Sequence, residues 1–225
     1  WPAMLLAAGL EPPKSIYVHG FITVDGQKMS KTIGNVIDPF ELIKKYGVDP
    51  VRYYLLREIS SYEDGDFSYQ KFEARYNADL ANNLGNLVSR VVALIEKFFN
   101  GSFSYSRKFV LKKVDDKVID AWKKYNESIN NFKLHIALEN VFSLVNSANL
   151  FVDEHKPWAL GDNPEHLNEV MTNLVAILLN TAWLLKPFLP GTSDRIFEIL
   201  GADKDGKSWE EKPFHVKPEI LFPKI

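Results

Sequence analysis

The sequence predicts a mostly α-helical protein, in which a small α/β unit is followed by an antiparallel helix bundle. Residues 16–24 form a β-branched and aromatic run that ends at Asp25-Gly26, which predicts a strand and a hairpin turn. From Ser68 onward the apolar residues recur with a period near 3.6, which is typical of long amphipathic helices. We therefore predict three parts: an α/β unit over residues 1–67, a helical domain over 68–201 and a C-terminal strap over 202–225.

Two short helices are predicted after the hairpin turn. Asp38-Pro39 and Asp49-Pro50 each place a capping carboxylate directly before a proline at the first helical position. Gly47 lies between these two signals and supplies the end of the first helix. The N-terminal part is therefore expected to be a strand, a turn and two helices.

The helical domain should begin with a helix of about thirty residues, whose apolar stripe runs from Phe72 to Phe98. Later helix starts are marked by Asn163-Pro164 and by Thr192, and Gly201 marks the end of the last helix. Prolines and mixed charges in the tail favour an extended strap. Further helices are predicted over residues 114–128, 132–154, 164–186 and 193–200.

Composition excludes several classes of protein. The 225 residues include no cysteine, so a disulfide framework, a thiolate zinc site and a cysteine nucleophile are excluded, and no metal site is predicted. The longest apolar stretches are far shorter than the roughly 20 residues that span a bilayer. By itself the net charge of −2 disfavours nucleic-acid binding, but it averages a basic segment, 97–124, with an acidic one, 139–169. Contact with nucleic acid is therefore not excluded.

A lysine-rich segment between the turn and the Asp38 cap is the first candidate site. Two lysines three residues apart, with hydroxyl groups beside them, can neutralise a polyphosphate and the charge on a leaving pyrophosphate. The alternative is a solvated surface loop. The segment consists of Lys28, Met29, Ser30, Lys31 and Thr32.

This segment resembles the KMSKS signature of class I aminoacyl-tRNA synthetases, with threonine in place of the final serine. The flanking residues 18–26, 34–39, 46–49 and 52–54 are similar to the methionyl-tRNA synthetase family in particular. The resemblance implies the C-terminal part of an enzyme that couples methionine to its tRNA through a methionyl-adenylate, using ATP and magnesium. It makes Lys28 and Lys31 the catalytic charge stabilisers, whereas a lone His19 is more often a packed or solvated residue. The implied nucleotide site comprises His19, Lys28, Met29, Ser30, Lys31 and Thr32.

The resemblance also implies that the nucleotide site is incomplete in this chain. None of its five histidines lies in a HIGH-type motif, which class I synthetases need for ATP. The chain starts at Trp1-Pro2 without an initiator methionine, so we expect that an N-terminal portion has been removed. The fragment alone is expected to be inactive, and the parent enzyme is expected to be cytoplasmic.

A second candidate site lies on the long helix. Asn86 and Arg90 are four residues apart and share its polar face, where an amide and a guanidinium can read unpaired bases. The alternative is a solvated helix face. Residues 83–90 resemble the anticodon-reading helix of methionyl-tRNA synthetases, and Lys156-Pro157-Trp158 resembles the segment whose tryptophan stacks on the first anticodon base. The resemblance implies that Asn86, Arg90 and Trp158 bind the anticodon of methionine tRNA; a plug at the bundle end is the alternative for Trp158.

Two other functions remain open on the sequence. One is the C-terminal part of another class I synthetase, such as the leucyl, isoleucyl, valyl or cysteinyl enzyme, which would share the loop and a helical domain. The other is a stand-alone tRNA-binding module, for which a polyphosphate-binding loop has no evident use.

Overall fold

The computed structural model describes residues 1–204, 206 and 209–225 and confirms a mostly helical fold with a small α/β unit at its N-terminal end. In that unit, strand β1 (Ile22–Val24) pairs antiparallel with β2 (Gln27–Lys28) and parallel with β3 (Gly65–Phe67). Asp25 and Gly26 have positive φ angles of 50° and 74°, as the predicted hairpin turn requires. The helices of the unit are α1 (Pro2–Ala7), α2 (Pro39–Tyr46) and α3 (Val48–Arg57).

The predicted strand over residues 16–24 is too long. Pairing is confined to Ile22–Val24, because β3 and β2 meet the chain only there, and Val18 is 77% exposed. Strand β3 was not predicted. Its three residues are too few to show an alternating pattern, and its partner lies about forty residues away in sequence.

Of the two predicted helix caps, one is confirmed and one is wrong. Asp38 Oδ1 accepts a 2.8 Å hydrogen bond from the Phe40 amide at the start of α2. Helix α3 begins at Val48 instead of Pro50, because Gly47, with φ of 88°, already turns the chain. Asp49 consequently lies in the first turn of α3, where its carboxylate is free to cap a different helix.

The predicted thirty-residue helix is a continuous helical segment with a change of winding. It comprises α4 (Tyr69–Arg75), a π-helical stretch (Tyr76–Gly85) and α5 (Asn86–Phe99). The predicted apolar stripe is confirmed from Phe72 to Ile95, whereas Phe98 at its end is only half-buried. Its fully buried members include Leu80, Leu84, Val88, Val91 and Ile95.

Four helices complete the bundle: α6 (Lys112–Asn130), α7 (Leu134–His155), α8 (Pro164–Leu185) and α9 (Pro190–Leu200). Each packs against the next, and the middle of α8 is buried on all sides. The predicted Asn163 cap is confirmed, because its Oδ1 accepts from the His166 amide. The last helix starts at Pro190, two residues before the predicted Thr192, and Gly201 ends it with φ of 70°.

Helix α3 joins the α/β unit to the bundle. Tyr53 packs in the bundle core and its neighbour Tyr54 packs in the small core under the sheet. The Arg52 guanidinium donates to the carbonyl oxygens of Phe188 and Pro187, at 2.6 and 2.8 Å, just after α8.

The described part of the C-terminal segment runs back over the bundle. Strand β5 (Phe214–His215) pairs antiparallel with β4 (Ser102–Phe103), and the Asn77 side chain bonds both main-chain N and O of Ile225. The predicted strap also includes residues 205, 207 and 208, which lie outside the described residues. Within the described ranges, no helix is long and apolar enough to cross a membrane.

Candidate functional site

The lysine-rich segment forms a closed turn held by Asn35. Asn35 Oδ1 accepts from the Ser30 amide at 2.8 Å, and Asn35 Nδ2 donates to the Lys28 carbonyl oxygen at 3.2 Å. The Gly34 amide closes the turn onto the Ser30 carbonyl oxygen, and the Thr32 amide donates to Ser30 Oγ. Because these bonds use backbone groups and the Asn35 amide, the two lysine side chains are left for another partner.

The hairpin that leads into this turn is anchored by Asp66, which sequence reasoning missed. Its Oδ1 accepts from the Gly26 amide at 2.7 Å and from Thr23 Oγ1 at 2.8 Å, and its Oδ2 pairs with Lys71 Nζ at 3.1 Å. The hydrogen bond from the Gly26 amide, followed by those from Thr23 and Lys71, holds the pKa of Asp66 below its ordinary value.

An open cavity of about 540 Å³ lies beside the hairpin and brings together three predicted residues, His19, Lys28 and Met29. His19 Nδ1 lies 2.8 Å from the Gly20 carbonyl oxygen, so in this contact Nδ1 carries the proton. The lining also includes Asp64, whose Oδ1 accepts from the Phe21 amide at 2.8 Å. Ser30, Lys31 and Thr32 lie on the turn next to this cavity and do not line it.

Lys28 and Lys31 are exposed, and within the part of the chain that the structure describes no carboxylate pairs with either of them. Two cations without a protein counter-charge, on a turn at the edge of a cavity, form a site suited to a polyanion.

The second predicted site brings α5 together with the end of α7 and the turn that follows it. Arg90 Cζ lies 5.7 Å from the centroid of the Trp158 ring, and Arg90 Nη2 pairs with Asp153 Oδ1 at 2.6 Å. Trp158 sits in a short 3₁₀ turn, Pro157–Ala159, which follows Lys156 in the left-handed conformation with φ of 42°. The ring is 47% exposed, which is more than expected of a side chain that fills the end of a bundle.

Asn86 lies one helical turn before Arg90 and is exposed. Its Nδ2 donates to the Asn82 carbonyl oxygen at 2.8 Å, which leaves its Oδ1 and its second amide hydrogen available. Asn86 directly follows the π-helical stretch, and such changes of winding are frequent at functional sites.

Sequence reasoning missed the polar groups on α7 that organise this face. Asp153 orients Arg90, and Asn83, at the start of the same surface, bonds both Asn146 and Asn149 at 2.7 and 2.8 Å. The residues that Asp153 and Asn83 bond lie more than sixty residues away in sequence, so helical periodicity predicts only that Asp153 and Asn83 lie on polar faces of their helices.

Comparison with known proteins shows that both candidate sites lie in segments similar to parts of tRNA synthetases. Residues 1–92 match the model of the family described as "tRNA synthetases class I (M)", and residues 112–221 match the "anticodon-binding domain of tRNA ligase". The whole chain is 40% identical to a methionine–tRNA ligase of Caldanaerobacter subterraneus and 41% identical to one of Clostridium acetobutylicum. The chain belongs to the methionyl-tRNA synthetase family. It spans 37% of the length of each of these two relatives.

Solved structures of the family agree with this membership. The methionyl-tRNA synthetase of Mycobacterium tuberculosis, in complex with methionyl-adenylate, superimposes on 99% of this chain with a TM-score of 0.85 and 30% identity. The match covers 47% of that chain. The fold of this chain is therefore that of the corresponding part of a family member.

Proposed function

We propose that this chain supplies the ATP-phosphate loop and the anticodon-reading surface of a cytoplasmic methionine–tRNA ligase. In this proposal residues 1–67 end the catalytic domain and contact the tRNA stem, residues 68–201 bind the anticodon, and residues 202–225 brace the bundle. The observation that carries the proposal is the placement of Arg90 against the exposed Trp158 ring, 5.7 Å from its centroid, with Asn86 one turn away.

At the anticodon site, Trp158 would provide a plane on which one unpaired base stacks, worth about 1–3 kcal/mol. Arg90 and Asn86 would then reach the edges of that base and its neighbours with charged and amide donors. The Asp153 carboxylate holds the guanidinium in place before RNA arrives, which reduces the entropy lost on binding.

At the loop, Lys28 and Lys31 would neutralise the triphosphate of ATP and the pyrophosphate that leaves when the methionine carboxylate attacks the α-phosphorus. His19, Met29, Ser30 and Thr32 would shape the nucleotide site around them. The described residues include no group of three or more acidic or histidine side chains placed to hold a metal. Magnesium, which would neutralise phosphate charge, is accordingly expected to arrive with the nucleotide.

The proposal is tested by binding of RNA stem-loops to the chain. A stem-loop with a CAU anticodon should bind at least tenfold more tightly than one whose first anticodon base is altered, because stacking and edge contacts both act on that base. Measurements at two salt concentrations separate this preference from backbone attraction. Equal affinity for both stem-loops would favour another class I synthetase or a stand-alone tRNA-binding module.

A further inference from the structure

The turn between α6 and α7 carries an aromatic residue in an unfavourable backbone conformation. Phe132 has φ of 57°, at a helix end closed by the Phe132 amide to Ile129 O and the Lys133 amide to Ser128 O. Glycine is the usual residue at such a position, because a Cβ crowds the left-handed backbone. The Phe132 side chain is also 54% exposed, so burial in the core does not account for it. A strained residue of this kind is a reason to look for a function.

The ring of Phe132 stacks on Tyr17, with centroids 5.0 Å apart and planes 23° from parallel. Tyr17 is fixed from its other end, since its hydroxyl donates to the Ser61 carbonyl oxygen at 2.7 Å. Ser61 Oγ in turn accepts from the Leu134 amide, the first residue of α7. Tyr17 is thus tied to the bundle in two ways: by its ring contact with Phe132, and through Ser61, which bonds both the Tyr17 hydroxyl and the Leu134 amide.

Tyr17 lies two residues before His19, which lines the cavity shared with Lys28 and Met29. Residues 16–21 belong to no helix or strand, and within them only the Phe21 carbonyl oxygen accepts a main-chain hydrogen bond among the described residues, from the Gly65 amide, so side-chain contacts contribute to where the rest of the segment lies. A second cavity, of about 230 Å³, is lined by Tyr17, His19 and Leu134, so His19 borders both this cavity and the one at the lysine turn.

We propose that Phe132 is a positioning residue for the cavity at the lysine turn: its ring holds Tyr17, and Tyr17 holds the segment that carries His19, which lines this cavity together with Lys28. The inference rests on the proposed function only in taking the cavity as a polyphosphate site. Helix α7 begins beside this contact and carries Asp153 near its other end, about 30 Å away along the helix. One helix therefore borders both sites.

The test compares F132G and F132Y in the 225-residue chain. F132G should melt at the same temperature as the unaltered chain or higher, because glycine adopts a positive φ without crowding. Exchange of the Phe21 amide, which bonds Asp64, should accelerate about two- to tenfold, the factor that corresponds to one ring stack. Affinity for inorganic tripolyphosphate should fall by a similar factor. F132Y keeps the ring and should leave both quantities unchanged.

Asn100→Gly is the matched control. Asn100 ends α5 with φ of 52° and gains the same backbone freedom, but it should leave Phe21 exchange and tripolyphosphate affinity unchanged. If F132G fails to fold, Tyr17→Leu removes the stack together with the Tyr17 hydroxyl bond to Ser61 and should accelerate Phe21 exchange at least as much. Unchanged Phe21 exchange in a folded F132G or Y17L variant would overturn the inference. If the unaltered chain does not bind tripolyphosphate, the proposed function of the lysine turn is contradicted. The exchange rate of the Phe21 amide still tests the positioning role of Phe132 in that case.

Discussion

Asp49 caps a helix to which it does not belong, and its removal should destabilise the junction between the α/β unit and the bundle. The Thr192 amide in the first turn of α9 donates to Asp49 Oδ2. The α9 N-cap residue, Leu189, offers no side-chain acceptor, and Thr192 is only 4% exposed, so the amide has no other evident acceptor once the carboxylate is gone.

The expected cost follows from two contributions. Loss of a capping acceptor costs about 1 kcal/mol, and loss of a negative charge at a helix N-terminus costs about 0.3–1 kcal/mol more. Asp49→Ala should therefore lower the free energy of unfolding by about 1.3–2 kcal/mol. Asp49→Asn keeps an acceptor and loses only the charge, so its cost should be about 0.3–1 kcal/mol.

Differential scanning calorimetry at neutral pH measures both variants. For a chain of this size, 1 kcal/mol corresponds to about 2–4 °C in melting temperature, so Asp49→Ala should melt about 3–8 °C lower. Asp116→Ala, which breaks an exposed pair with Lys112, is the control and should shift the melting temperature by no more than about 2 °C. A melting temperature for Asp49→Ala equal to that of the control would refute the cap. Equal losses for Asn and Ala would show that charge alone matters.

Three further predictions concern the two sites. Trp158→Ala should weaken binding of the CAU stem-loop about 5- to 150-fold, with little change in melting temperature because Trp158 is half exposed. The control Trp183→Phe, in the bundle, should leave binding unchanged. A large fall in melting temperature for Trp158→Ala would favour the interpretation that Trp158 fills the end of the bundle. The folded-state pKa of Asp66 is lowered, so Asp66 stabilises the hairpin at pH values above its ordinary pKa of 3.8, and this stabilisation is lost as the pH falls through the lowered pKa. The NMR resonance of the Gly26 amide should shift as the stabilisation is lost, and a resonance that does not change in acid would contradict this prediction. The isolated chain should not catalyse ATP–pyrophosphate exchange with methionine, because it has no HIGH-type motif, and measurable exchange would disprove this.

Local signals predicted those parts of the fold that depend on neighbours in sequence. The Leu80 and Leu84 stripe follows from helical periodicity, and the Asp38 and Asn163 caps follow from a side chain that bonds an amide two or three residues away. The same reasoning failed for Asp49. A carboxylate before proline indicates that some helix start is capped, but which one depends on the elements that pack nearby.

The candidate sites show the same division. The residue pattern and the family resemblance together singled out Lys28, Lys31, Asn86, Arg90 and Trp158, and the roles of these residues stay predictions for the experiments above. The anchors Asp66 and Asp153 were missed. Each acts on a group 40 to 63 residues away in sequence, and a surface carboxylate carries no mark of the partner it will meet.

By itself, the sequence determined which of the longer segments are helical and which residues lie on their apolar faces, because these depend on interactions within a few residues, and it predicted two candidate sites. Only the tertiary structure decided that Asp49 caps α9, that Arg90 lies against Trp158, and that Phe132 stacks on Tyr17. Such contacts join segments far apart in sequence, and they form only when burial of the two cores fixes how the helices pack.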